Sequence, residues 1–274
     1  MKRICKVIKF ARSTYYKYLC PRPSARKTNK EKLRETIKNV FEENKKRYGA
    51  PKTQRVLASH GIHASLKRVQ RHMAVLGLRS IVVKKYRHYS SKCLIEEHDN
   101  LLNRDFKTTV INKKWCTDIT YIHTVNDGWT YLASVMDLAS KKIIGYAYAK
   151  RMTAELAVKA VANACLNVKD TTGIILHSDL GTQYTSQIFE DELVRRNIIH
   201  SYSRKGNPYD NACIESFHSI LKKEEINHNR YYDFKIAGKA IFEYIESWYN
   251  RKRIHGSINY MTPQEYEDAA KAAA

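Results

Sequence analysis

Near residue 114 the hydrophobic period of the chain changes, and that change limits what each part can fold into. Over residues 30–47, Leu33, Ile37, Val40 and Phe41 recur at three- and four-residue spacing with Lys and Glu between them, the stripe of an amphipathic helix. That helix should stop at Tyr48-Gly49. Pro51 suits the first turn of a second helix ending at His60-Gly61, and Ser65 suits the cap of a third. On the third, Leu66, Val69, Met73 and Leu76 make the apolar side, which turns Lys67, Arg68 and Arg71 outward. Three helices joined by short turns predict a helix-turn-helix domain over 29–78, and Ile4, Val7 and Ile8 ahead of Tyr15-Tyr16 predict a partial version over 1–28.

After 114 the runs 115–122, 129–138 and 142–149 read as strands, the first two joined by the turn signal Asp127-Gly128. A helix over 154–166, a strand over 174–177, a helix over 186–197 and a strand over 198–203 follow. Another helix starts near Asp210-Asn211, and a last long one over 234–251 is expected to bury Ile236, Ile241, Ile245 and Trp248. The order predicts an α/β domain over 114–268, a mixed five-stranded sheet flanked by helices, with C-terminal helices and an Ala-rich tail at 269–274.

Charge divides the chain at the same place. Residues 1–113 hold 29 of the 49 Lys and Arg but only 8 of the 27 Asp and Glu, so nearly all of the net charge of +22 lies there. A polyanion is the natural partner, because each cation that neutralises a phosphate releases condensed counterions. A merely soluble surface would scatter the charge over both parts. The outward cations Lys67, Arg68 and Arg71 suit a recognition helix in a major groove, and Lys84, Lys85 and Arg87 belong to a basic linker, 79–113, that tracks a DNA backbone. The six cysteines include no C-x-x-C pair, and there is no signal-peptide pattern, which fits a reducing cytoplasm. No apolar run approaches the roughly 18 residues of a membrane span.

Three carboxylates stand out by position. Asp118 interrupts a strand-like run, where aspartate is a poor sheet residue and costly to bury alone. Asp179 ends an apolar strand just before Gly181, and Glu215 falls in the first turns of the helix that follows Gly206-Asn-Pro. Singly, each has a bland reading as a turn, a strand end or a solvated helix residue. If the two strands are neighbours and the helix crosses them, the acids converge into an oxygen-rich cluster suited to two Mg²⁺ or Mn²⁺ ions. Lys222 follows Glu215 by two helical turns, with His218 between them on the same face, where a lysine reaches a DNA phosphate.

With these motifs in view, the chain resembles the transposases encoded by the second reading frame of two-frame bacterial insertion sequences, relatives of retroviral integrase. The resemblance rests on the Tyr48-Gly49 region, Trp115-Cys-Thr-Asp118, the Asp179 motif, Asn211-Ala-Cys-Ile-Glu215, Tyr249-Asn250, Arg253, His255 and Thr262-Pro263. It departs at Ile254 and Ile258, where relatives often carry Pro and Leu. It implies a ribonuclease-H-like core and a catalytic, metal-holding triad of Asp118, Asp179 and Glu215. On this reading Lys222, His218, Arg253 and His255 join the DNA-contacting residues. The implied partners are double-stranded DNA, as terminal repeats and target, further copies of the chain in at least a dimer, and the upstream-frame product as fusion or partner. The implied location is the bacterial cytoplasm, at the nucleoid. The sequence admits two other readings. A tyrosine recombinase is suggested by 19 tyrosines, but these sit mostly at packing positions; a non-catalytic DNA-binding regulator is opposed by the presence of all three acids and Lys222.

Overall fold

A computed structural model describes residues 2–9, 11–19, 25–82, 100–102, 105–106, 108–166, 168–204 and 208–273. The chain forms two compact units, Met1–Ile81 and Val82–Ala274.

The first unit is helical. Helices α1 (Lys2–Val7) and α2 (Arg12–Leu19) precede α3 (Ala25–Glu43), α4 (Ala50–Ser59) and α5 (Leu66–Val75). Leu33, Ile37, Val40 and Phe41 of α3 bury against Leu57, Val69 and Met73, as their spacing predicts. Leu66 departs from the expected stripe: it is exposed at the first turn of α5, and the buried place on that face is taken by His72, whose Nδ1 accepts from Arg34 Nε at 3.4 Å. The Ser65 hydroxyl caps α5 by accepting from the Arg68 amide. Helix α4 ends where Gly61 takes φ of +76°, a left-handed conformation that lets the Ile62 amide reach back to the Leu57 carbonyl at 2.8 Å. Residues 1–28, where a partial helix-turn-helix is expected, hold the short helices α1 and α2 and the start of α3, with Ile4, Val7 and Ile8 exposed rather than packed into a core.

The second unit is built on one sheet. Strands β1 (Lys114–Thr124), β2 (Gly128–Asp137) and β3 (Ile143–Ala149) are antiparallel neighbours, and after helix α6 (Ala154–Cys165) strand β4 (Ile175–Ser178) joins β1 in parallel. Helix α7 (Gln187–Arg195) leads to β5 (Ile199–Tyr202), parallel to β4, so the order across the sheet is β3-β2-β1-β4-β5. This is a ribonuclease-H-like arrangement. Trp115, Val135 and Leu176 pack with Leu156, Val161, Phe189 and Leu193 of α6 and α7. Gly145 of β3 permits the closest approach: a Cβ there would lie 2.3 Å from the Ala164 nitrogen.

Helix α8 (Ala212–Glu224) crosses the sheet over β1 and β2, where the Asn211 amide at its start donates to the Thr117 carbonyl. The expected long helix over 234–251 is divided, with α9 (Phe234–Phe242) continuing as a π-helical segment, Glu243–Tyr249. Ile236 is exposed and Ala237 takes its inward place beside Ile241, Ile245 and Trp248. The Asn250 side chain then pairs with both the amide and the carbonyl of Ile143, each at 3.0 Å, like one more strand residue at the start of β3. A final helix, α10 (Pro263–Ala272), takes in residues expected to be a tail. Its capping box, Thr262 with Glu265, and Pro263 at its first turn were visible in the sequence. Among the described residues no helix is long and apolar enough to cross a membrane.

Candidate active site

The sheet register brings Asp118 and Asp179 side by side. Lys114, Trp115 and Cys116 of β1 pair in parallel with Ile175, Leu176 and His177 of β4, and the same offset carried two residues further sets Asp118 level with Asp179. Asp118 is partly buried; its Oδ1 accepts from the Ile119 amide at 2.8 Å. Asp179 follows the last residue of β4, and its Oδ1 accepts from the Gly181 amide at 3.0 Å. A Cβ at Gly181 would lie 3.0 Å from that same oxygen, so a glycine lets the loop close on the carboxylate. Burial, and then the charge of Asp118, push the Asp179 carboxyl above the usual aspartate range, opposed by the Gly181 amide.

Asp179 is held from behind by polar groups that carried no signal in the linear sequence. Ser178 Oγ donates to the Asp179 carbonyl at 2.9 Å and lies 2.9 Å from His200 Nε2, while His200 Nδ1 lies 2.6 Å from Glu190 Oε1. On the neighbouring residue, buried His177 spans Ser201 at 2.9 Å and Ser203 at 3.0 Å, joining β4 to β5 and its extension. Burial holds the His177 imidazole neutral, its pKa lowered to about 4 against the partial opposition of Asp210.

Helix α8 places the other candidate residues. His218 is buried, with Nδ1 3.2 Å from Asp118 Oδ2 and Nε2 3.3 Å from the Ser134 hydroxyl. Ser134 is the residue directly opposite Asp118 on β2. His218, expected to contact DNA, therefore braces Asp118 across the β1–β2 pair, with both ring nitrogens engaged inside the domain. Glu215 lies one turn earlier on the same helix and is exposed. Among the described residues no three His, Cys, Asp or Glu side chains come together closely enough to hold an ion. The structure thus pairs Asp118 with Asp179 and sets Glu215 on the helix that contacts Asp118.

Lys222 lies one turn beyond His218. It is partly buried, its Nζ is 4.0 Å from the centre of the Tyr121 ring, and it makes no ion pair among the described residues. Burial lowers its pKa from the usual lysine value, with the charge of Asp118 pulling the other way. The two glutamates able to neutralise it face elsewhere. Glu225 Oε1 accepts from Asn229 at 2.9 Å, and buried Glu224 accepts from Arg253, from the Tyr244 hydroxyl at 2.9 Å and from Trp248 Nε1 at 3.1 Å.

The same network takes in two further residues expected to contact DNA. Arg253 and His255 are buried, Arg253 bound to Glu224 and 3.3 Å from the His255 ring, and they tie the C-terminal segment to α8. On the first unit, Lys67, Arg68 and Arg71 are exposed as expected, and with Arg26, Lys27 and Lys30 of α3 they line a basic cavity of about 1050 Å³. Lys84, Lys85 and Arg87 lie outside the described residues.

A mixed sheet in this order, flanked by helices, with Asp118 on its central strand and Asp179 just past the end of β4, has the arrangement of an integrase-like core. The Integrase core domain family matches residues 109–208 and, in a second form, 196–263, and an HTH-like domain family matches 28–86. The transposase for insertion sequence element IS904 of Lactococcus lactis is 41% identical over 90% of this chain and 97% of that one. Transposase InsF for insertion sequence IS3A of Escherichia coli is 36% identical over 98% of this chain and 94% of its own length. Among solved structures the chain is similar to the simian T-cell lymphotropic virus intasome in complex with a PP2A regulatory subunit, with a TM-score of 0.49 and 18% identity over 78% of this chain and 69% of that one. The chain belongs to the IS3-type insertion-sequence transposases, and its function is DNA transposition.

Proposed function

We propose that the chain cleaves insertion-sequence ends to free a 3′-hydroxyl and then joins that hydroxyl to target DNA, with Asp118, Asp179 and Glu215 as its metal-holding triad. The observation that carries the reading is the placing of Asp118 on β1, two residues beyond its paired stretch with β4, and of Asp179 just past the end of β4, close enough for the charge of Asp118 to act on Asp179. Two carboxylates placed together, with Asp179 pushed toward protonation by burial and then by the charge of Asp118, favour a cation between them. The donors are oxygens, which suits Mg²⁺ or Mn²⁺ over softer metals. Glu215 is the third ligand on this reading because it shares a helix face with His218, which touches Asp118. When bound, two divalent ions supply charge stabilisation to the attacking and leaving oxygens of phosphoryl transfer.

The protein's own groups do the positioning. His218 and the Ile119 amide fix the two oxygens of Asp118, the Gly181 amide and Ser178 fix Asp179 and its backbone, and Lys222 presents an ammonium that no carboxylate within ion-pair distance neutralises among the described residues. A DNA phosphate arriving beside Asp118 meets that ammonium, which holds the strand for in-line attack. The cations of α5 read the element end, the linker cations add affinity for any DNA, and two ends are brought together by at least a dimer. The upstream-frame product takes part as fusion or partner.

The test is cleavage of a labelled element end in Mg²⁺ or Mn²⁺, with DNA binding measured in parallel. Asp118→Asn, Asp179→Asn and Glu215→Gln are each expected to lower cleavage and joining by roughly a hundred- to a thousandfold or more, the scale of removing a preorganised electrostatic contact, with DNA affinity little changed. Near wild-type strand transfer by any of the three removes that residue from the triad. Metal-independent binding with no cleavage by the wild-type chain would return it to the regulator reading.

A further inference from the structure

Strand β1 outruns β4. The pairing with β4 ends at Cys116, whereas β1 continues to Thr124, and the next segment beside it is 229–232, bridged at Thr124 and Tyr231. Between them opens a cavity of about 630 Å³, within the range of ligand sites, roughly 300–1,000 Å³. Its mouth carries Tyr121 and Trp129, 56% and 54% exposed, packed edge to face at 5.2 Å, with the His123 ring 5.0 Å from Trp129. Lys222 and Arg230 supply two cations, Asn227 and Asn229 supply amides, and no carboxylate is among the described lining residues.

This composition selects one class of occupant. Large aromatic rings left in water are unfavourable unless something covers them, and clustered rings beside cations and amides match a π-face, a phosphate and a base edge presented together. A base-paired duplex hides its base faces. An unpaired nucleotide exposes all three features. Lys222 links the cavity to the catalytic carboxylates, since its ammonium lies on the Tyr121 ring and within the field of Asp118. We propose that this cavity takes an unpaired nucleotide of the DNA substrate, stacked on Trp129 and Tyr121, next to the phosphodiester handled at Asp118 and Asp179. The place beside Asp118 and Asp179 rests on the proposed function; the stacking itself, read by binding without metal, does not depend on which residues hold metal.

The experiment is binding in chelator, without divalent metal, of a labelled duplex ending in a short unpaired strand and of the same duplex with a blunt end. Wild type should bind the unpaired end more tightly and quench 2-aminopurine placed there. Trp129→Ala should weaken that binding roughly five- to a hundredfold, the range for loss of one base–aromatic stack, and abolish the quenching, while blunt-duplex affinity stays within about twofold. Trp129→Phe should retain most of the binding, and Tyr121→Ala should lie between. Equal affinity of wild type for both ends, unquenched 2-aminopurine, or equal losses on both DNAs in Trp129→Ala would overturn the proposal. Cleavage by the triad variants is scored separately, so this inference and the catalytic assignment fail independently.

Discussion

The two units of this transposase use charge in opposite ways. On α5 the cations Lys67, Arg68 and Arg71 stand in solvent around a basic cavity; on the proposed reading each contributes mainly to counterion release and groove contact. In the catalytic unit the telling charges are drawn inward: Asp179 beside Asp118, Lys222 against Tyr121, and Arg253 locked to Glu224. Exposed charges are cheap and replaceable one at a time, whereas buried ones are coupled to the fold and to each other. The first unit should therefore respond to substitution in graded, salt-dependent steps and the second in large, discrete ones.

The steepest loss is expected at the triad, as given above. Next, Glu224→Gln should destabilise the catalytic unit by about 3–5 kcal/mol, the cost of breaking a buried ion pair from one side, because it leaves Arg253 charged and the Tyr244 and Trp248 donors on a weaker acceptor. Denaturant unfolding followed by tryptophan fluorescence measures this; a shift under about 1 kcal/mol would show that the network is solvated.

His177 gives a pH signature confined to the second unit. Its pKa falls from the ordinary 6.5 to about 4 on folding, so between those values the unfolded chain binds more protons. Stability is full above about 6.5 and is lost as pH falls toward 4, by about 3 kcal/mol in all. A His177→Asn variant should show a flatter acid limb in stability against pH; an unchanged slope would remove His177 as its source.

Lys222→Ala should leave the unfolding midpoint unchanged and lower end cleavage about ten- to a hundredfold, with partial recovery in Lys222→Arg, which keeps the charge. Wild-type cleavage by the alanine variant in physiological salt would make Lys222 a surface residue like those on α5. The smallest effects belong to the first unit. Alanine at Lys67, Arg68 or Arg71 should each erode discrimination between element end and random DNA by up to about tenfold, whereas alanine at Lys84, Lys85 or Arg87 should weaken both DNAs alike and reduce the salt slope by about one per contact. Equal losses on both DNAs for both sets would end the distinction between reader and linker.

Most of the elements were legible because their signals are local. The stripe Leu33, Ile37, Val40, Phe41 is buried as its spacing requires, and Asp127-Gly128 turns β1 into β2 with Gly128 at φ of +69°. Where such reading slipped, neighbours from elsewhere in the chain decided. Leu66 lost its buried place to His72, Ile236 to Ala237, and the division of the last long helix was not visible in its apolar spacing. The capping box of Thr262 and Glu265 is a local signal of the same kind.

The site follows the same division. Sequence alone determined the kinds of group present: an aspartate inside a strand, another at a strand end, a glutamate and a lysine on one helix face, and a basic helical unit ahead of them. It determined these because residue identity, period and charge are properties of short stretches. Only the tertiary structure decided that β1 and β4 pair so as to bring Asp118 near Asp179, that His218 braces Asp118 through Ser134, and that Arg253 turns inward to Glu224. Register and burial are set by partners that lie 24 to 110 residues apart along the chain in Trp248–Glu224 and Asn100–Asp210 alike, and a side chain's charge says nothing of its destination until the partner that compensates its desolvation is in place.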